Sequence, residues 1–170
     1  MKLYAVIDTN VLVSALLTKD GDSPVVKVVN AIRENIIIPL FDESILMEYA
    51  EVLHRDRFGF EDAIVDELLS MLKIRGINCE RKPISEIIPD PDDVVFYEVA
   101  MSRENAYLVT GNIKHFPKNG RVVSPADMVQ IIEFGKLQTD FLCESEPPVY
   151  LPIPLSEIDA IISACRRMRK

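Results

Sequence analysis

Cysteine is scarce: Cys79, Cys143 and Cys165 are the only three, far apart and without paired ligand spacing. Neither a disulfide framework nor a zinc site is indicated, and the three are read as inert core thiols. Positive charge is in short supply as well. Lys and Arg number 19 against 27 Asp and Glu, a formal net charge of −8, which argues against a protein that holds nucleic acid on a broad basic surface. An enzyme that meets phosphates through bound cations is not excluded, since acids that hold Mg²⁺ or Mn²⁺ carry negative formal charge themselves. Long apolar runs are missing: none reaches the roughly 18 residues of a membrane span. Met1-Lys2 leads directly into an apolar strand, without a signal-peptide layout, so the expectation is a cytoplasmic protein with no membrane contact. Glycine is also sparse, at six, while 48% of the chain is apolar, enough for one domain with a sizeable core. No internal repeat or low-complexity tract is present.

The apolar run at the start organises the rest. Leu3 to Ile7 has almost no polar interruption and reads as a strand buried on both faces, as in a parallel sheet covered by helices. Asp8 then falls at the carboxyl end of that strand, the edge where open α/β sheets bind ligands. An ionised Asp there is costly unless a cation, hydrogen bonds or a helix N-terminus balances it. Asp8 therefore reads either as a metal ligand or, with Asn10, as the cap of a helix carrying Val11, Leu12, Ala15 and Leu16.

Farther along, Pro24 opens a helix with Val25, Val28, Val29 and Ile32 on one stripe. Residues 36–39, a β-branched run closed by Pro39, are expected as the second strand. Asp42 or Ser44 caps a helix whose stripe is Ile45, Leu46, Tyr49, Val52 and Leu53. At about 100° per residue Glu48 falls on the margin of that stripe, while Glu51 points to solvent. Phe58-Gly59-Phe60 interrupts, and a helix carrying Ala63, Val65, Leu68, Leu69, Leu72 and Ile74 stops near Gly76. Residues 77–80 are a weak strand, and residues 84–88 are left unassigned.

Asp90-Pro91-Asp92-Asp93 is good chemistry for starting the helix at Val94. Three carboxylates in so short a stretch also repel one another more than capping needs, a strain that a divalent cation relieves. Residues 106–110 form a buried strand that brings Gly111 and Asn112 to the same edge as Asp8 if the sheet is parallel. A last short strand follows at Arg121-Val122-Val123, and Ser124-Pro125 starts a helix expected to run through Phe134. Beyond it, Pro147, Pro148, Pro152 and Pro154 imply a stiff extended arm. A terminal helix from Ser156 carries Ile158, Ile161, Ile162, Cys165 and Met168 on one side. That stripe requires burial, and a homodimer is the expectation.

Alternating strands and helices predict a three-layer α/β/α domain on a central parallel sheet, over residues 1–134, with residues 135–170 as a dependent arm plus helix. Asp8, the Asp92 and Asp93 pair, Asn112 and Glu48 then gather at one edge. In order and spacing, four blocks resemble a PIN-domain protein, similar to the toxin components of toxin–antitoxin modules: Val6-Ile7-Asp8-Thr9-Asn10-Val11-Leu12-Val13-Ser14, Leu46-Met47-Glu48-Tyr49-Ala50-Glu51-Val52-Leu53, Asp90-Pro91-Asp92-Asp93 followed by Ala100, and Tyr107-Leu108-Val109-Thr110-Gly111-Asn112 with His115-Phe116-Pro117.

The resemblance implies a metal-dependent endoribonuclease with an RNA substrate, a protein antitoxin as partner, and Mg²⁺ or Mn²⁺ as cofactor. Carried over by position, Asp8, Glu48 and Asp93 match the catalytic and metal-binding acids, with Asp92 and Asn112 as further metal candidates. Thr9, Asn10 and Thr110 match supporting polar positions, and His115 and Lys114 are candidate nucleic-acid contacts. The chain departs from the pattern at Asn112, where many members carry Asp; the amide removes a charge and weakens the case for a second ion. The alternative is a catalytically weak module of the same fold that binds RNA or a protein. A phosphotransfer domain would want a lysine at a later strand end, and only Lys114 stands near.

Overall fold

Five short segments, four of them apolar and buried, pair side by side, all in one direction. The computed structural model describes residues 2–143, in which β1 (Leu3–Ile7), β2 (Ile37–Phe41), β3 (Ile77–Asn78), β4 (Ala106–Val109) and β5 (Val122–Val123) form a parallel sheet in the order β3-β2-β1-β4-β5. β1 is central. Its Ala5, Val6 and Ile7 are fully buried, as a run lying between two layers of helices has to be. Six helices complete the three-layer α/β/α arrangement expected from the alternation: α1 (Thr9–Leu17), α2 (Pro24–Arg33), α3 (Glu43–Leu53), α4 (Asp62–Arg75), α5 (Pro91–Met101) and α6 (Pro125–Cys143). Among the described residues no helix is long and apolar enough to cross a membrane.

Helix starts follow the chemistry of their caps. Asp8 accepts from the Asn10 amide ahead of α1, and Asp90 accepts from the Asp92 amide ahead of Pro91 at the first position of α5. Of the two candidates before α3, Asp42 is the cap, accepting from Ile45 N at 2.9 Å, while the Ser44 hydroxyl donates to the same oxygen at 2.7 Å.

Three elements differ from the sequence reading. β2 does not stop at Pro39 but runs through it to Phe41. Leu3 N donates to Ile36 O, so alternate residues face β1 and Pro39 faces β3, whose pairing begins only at Leu40. The missing N–H of Pro39 therefore removes no bond that the ladder uses. α6 likewise continues through Gly135 to Cys143 instead of ending at Phe134; one helical glycine costs only about 1 kcal/mol. Ile74, placed on the apolar stripe of α4, is 81% exposed, and that helix is held instead by Val65, Leu68 and Leu72. The expected proline-rich arm and terminal helix, and the homodimer built on them, lie outside the described residues.

The topology fixes where the two halves part. From β1 the chain builds outward through β2 to β3, then returns by α5, which packs on β1, β2 and β4, to lay β4 against the other side of β1. α5 buries Phe96, Tyr97, Val99, Ala100 and Met101, a face wider than half its circumference. A switch in direction of this kind leaves a crevice at the carboxyl ends of the two strands flanking it, here β1 and β4.

Candidate active site

The three residues that leave β1 reach in three directions. Asp8, 6% exposed, accepts from the Thr110 hydroxyl at 2.6 Å and from the Asn10 side-chain amide at 2.8 Å. Thr9 donates to Glu48 Oε1 at 2.6 Å. Asn10 accepts from Gly111 N at 3.3 Å. The first turn of α1 is thereby tied to the end of β4 and to α3, and the carboxylates of β1 and α3 are held through a shared frame. Tyr49, next to Glu48 and fully interior, donates its hydroxyl to the Ile7 carbonyl and fixes the height of α3 on β1.

A cleft of about 380 Å³ opens over this frame, lined by Asp8, Thr9, Asn10, Glu48, Asp90, Asp92, Asp93, Asn112 and His115, with Val13, Ser14, Val52, Arg57 and Phe58. Every residue expected at the site lines it except two. Thr110 is buried behind Asp8, and Lys114 lies on the turn beyond Asn112 without lining the cleft. Glu51 faces outward and pairs with Arg55 at 2.8 Å. His115, expected as a nucleic-acid contact, also faces an acid: its Nδ1 is 3.2 Å from Asp93 Oδ2. Asp90, marked in the sequence only as one of the three crowded acids, lines the cleft too, and Ser14, Arg57 and Phe58 had no assigned part in it; the last two belong to a 3₁₀ turn, Asp56–Phe58, that reaches the cleft only through the fold.

The electrostatics are those of crowded acids. Burial pushes the Asp8 carboxyl above its usual value, against the hydrogen bonds from Thr110 and Asn10. Burial also raises Glu48; the Thr9 hydroxyl opposes this, and the charges of Asp8, Asp92 and Asp93 add to it. Asp93 is raised by burial as well, with the His115 bond opposing and Asp8 and Asp90 reinforcing. Among the described residues no three acid, imidazole or thiol groups already close into a metal cage; the carboxylates face a shared open cleft. Their chemistry fits a hard divalent cation, because all are oxygen donors and their mutual repulsion is what such an ion removes.

A parallel α/β/α sheet with an acidic cleft at its switch point is an arrangement whose oxygen donors suit a divalent cation. The chain belongs to the PIN-domain family: the family model described as "PIN domain" matches residues 4–114. That span holds Asp8, Glu48, Asp90, Asp92, Asp93 and Asn112. PIN domains are typically nucleases, hydrolases acting on nucleic acids with divalent metal ions. Neither the curated proteins nor the solved structures yielded a match to the chain.

Proposed function

We propose that this chain is an endoribonuclease that hydrolyses phosphodiester bonds with Mg²⁺ or Mn²⁺, with Asp8, Glu48 and Asp93 as the acids that hold the ion. The observation that carries the reading is the meeting of these three carboxylates, from β1, α3 and α5, around one cleft. All three are raised in pKa by burial first. When bound, a divalent cation supplies charge neutralisation for the phosphodiester and for the departing oxygen. The chain's own residues orient that centre. Thr110 and Asn10 fix the two Asp8 oxygens, Thr9 fixes Glu48, and His115 fixes Asp93. Asp92 and Asn112, both exposed on the cleft, are further oxygen donors.

The four sequence blocks also support a finer reading: the toxin of a toxin–antitoxin module, acting on RNA in the cytoplasm and restrained by a protein antitoxin. One observation favours a second reading, a weakly catalytic module that binds RNA or a protein: Asn112 stands where an acid would complete the site. Incubation of the full chain with mixed single-stranded RNA over a Mn²⁺ titration decides between them. Cleavage that depends on Mn²⁺ and is lost in a folded Asp8→Asn chain, by at least about 100-fold, is the expected result. Unchanged cleavage by that variant would overturn the assignment of the acids.

A further inference from the structure

The acids explain how the cleft could hold an ion but not how it holds a strand. A phosphate chain approaching Asp8, Glu48, Asp90, Asp92 and Asp93 meets negative charge, on a molecule whose net charge is already −8. The cleft has two residues that carry or can take positive charge. One, His115, faces Asp93. The other is Arg57, and it is uncommitted: among the described residues no carboxylate pairs with it, whereas nearby Arg55 is bound to Glu51 and Arg81 to Asp42. Among the described residues its one partner is aromatic, with the guanidinium carbon 4.6 Å from the centroid of the Phe58 ring.

Phe58 is equally unexplained by the core. It is half-buried, lies outside the apolar core and the residues packed on it, and borders the cleft. It is nonetheless held in place. Phe60, which does pack on the core, stacks against it with centroids 5.4 Å apart and planes 9° from parallel. Gly59 between them takes φ +63 and turns the chain so that the two rings can meet. The turn immediately follows α3, the helix that supplies Glu48. A supported phenyl ring beside an unpaired guanidinium, bordering an acidic cleft, is the equipment of a nucleotide-holding lip. Arginine binds phosphate oxygens in pairs, and a phenyl face stacks any base without regard to sequence.

We propose that Arg57 and Phe58 hold the substrate strand, Arg57 swinging off the Phe58 ring to take a phosphate and an unpaired base stacking on the ring face it leaves, opposite Phe60, so that a phosphodiester is presented to the acids. This rests on the nuclease reading above for the identity of the neighbouring site. It also narrows the substrate: a stacked base must be unpaired, and a duplex offers paired bases and needs many phosphate contacts, whereas among the described residues this cleft is lined by only Arg57 and His115 as basic residues. The strand is therefore single.

The test uses the full chain and a fluorescent RNA of mixed sequence, single-stranded in one arm and annealed to its complement in the other. Binding is read by anisotropy on chains that also carry Asp8→Asn, to keep the strand intact, and cleavage is read on chains that do not. Phe58→Leu should weaken single-strand binding about tenfold, with Phe58→Trp restoring it, since base stacking and not mere bulk is required. Arg57→Ala should lower the slope of log affinity against log salt by about 0.7, one phosphate's worth on a single strand, and Arg57→Lys should keep that slope. In cleavage both losses should fall on KM more than on kcat. Calorimetric titration with Mn²⁺ should give the wild-type result for every position-57 and position-58 variant, because neither side chain is an ion ligand.

Phe58→Leu binding the strand as wild type does, losing duplex and single strand equally, or Arg57→Ala keeping the full salt slope would each overturn the proposal and leave the nuclease reading standing. A wild-type chain that binds the strand but does not cleave it in Mn²⁺ defeats the nuclease reading alone, and the anisotropy arms still decide the proposal. A wild-type chain that binds no RNA removes both.

Discussion

Asp8 both caps α1 and lines the cleft, so the choice between capping and ligand chemistry is not a choice at all. One oxygen takes the Asn10 backbone amide at 3.1 Å, the other takes Thr110 and the Asn10 side chain, and the carboxylate still borders open space. That much was legible because Asp8, Thr9 and Asn10 are contiguous at the end of an unmistakable strand. Glu48 was legible by helical phase, which separated it from Glu51 before any contact was known. Arg57 and Phe58 carried no comparable signal: they sit in a short turn with no period, and the residues that share the cleft with them come from segments scattered between Asp8 and His115. Asn112 lies between these cases. It borders the cleft, exposed, with its backbone N–H donating to Thr110 Oγ1 at 2.9 Å and no hydrogen bond at its side-chain amide among the described residues. Asn112→Asp replaces that amide with a charge facing the other acids. Affinity for Mn²⁺ should rise severalfold, most at low ionic strength, where the screening length is about 30 Å at 0.01 M against about 8 Å at 0.15 M. Side-by-side calorimetric titrations of the two chains check it; equal affinity and stoichiometry would place residue 112 outside the ion site.

Among the elements, α3 does most to position the site, and three contacts hold it. Asp42 caps its start, Tyr49 ties its middle to Ile7, and Leu53 is buried near its end. The cap itself is braced, since Arg81 donates to Asp42 Oδ2 at 2.5 Å and to the Ser44 hydroxyl at 2.5 Å. The sequence named Asp42 as a candidate but could not show Arg81, 39 residues away, because a long-range brace has no local pattern. The same limit hid the path of β2 through Pro39 and the reason for Gly76. That glycine ends α4 with an ordinary negative φ. Its small size is what matters, because a Cβ there would stand 2.7 Å from the carbonyl oxygens of both Leu72 and Pro39. For Asp42, partial burial acts to raise the carboxyl, but the Ile45 amide, Arg81 and Ser44 outweigh it and leave the pKa below 3.8. A lowered carboxylate stabilises the fold above its unfolded value and loses that contribution as pH falls through its folded value. Asp42→Ala should therefore cost about 1–2 kcal/mol at pH 7, the cost of a lost cap, and progressively less below pH 3.8. Urea unfolding of both chains across pH checks the sign; a penalty that grows in acid would refute the capping role.

At the scale of the whole molecule, the topology that joins β1 to β4 also concentrates acids from β1, α3 and α5 at one edge, and the fold is strained by them. Asp8 and Asp93 sit above their ordinary 3.8, and Glu48 above its ordinary 4.5, with burial the first cause in each. The sign is opposite to that of Asp42. Between the unfolded and the raised folded values the native chain binds more protons than the unfolded one, so stability falls as pH rises through that window and stays lowered above it. A divalent ion binds the native chain alone and favours the ionised carboxylates, so it should remove the deficit at the pH where the deficit is complete. At about 100 times its dissociation constant the ion contributes roughly 2.7 kcal/mol, which for a chain of this size raises Tm by roughly 5–10 °C. Thermal unfolding with EDTA and with Mn²⁺, at steps from pH 4 to pH 8, reads both effects together. With EDTA, Tm should decline as pH climbs past the ordinary carboxylate values; with Mn²⁺ the decline should vanish and the gap between the curves widen toward neutrality. Asp8→Asn, which deletes the most buried of the three charges, should flatten the EDTA curve and shrink the Mn²⁺ gap. Coincident curves at every pH would mean that these carboxylates share a cleft without sharing an ion.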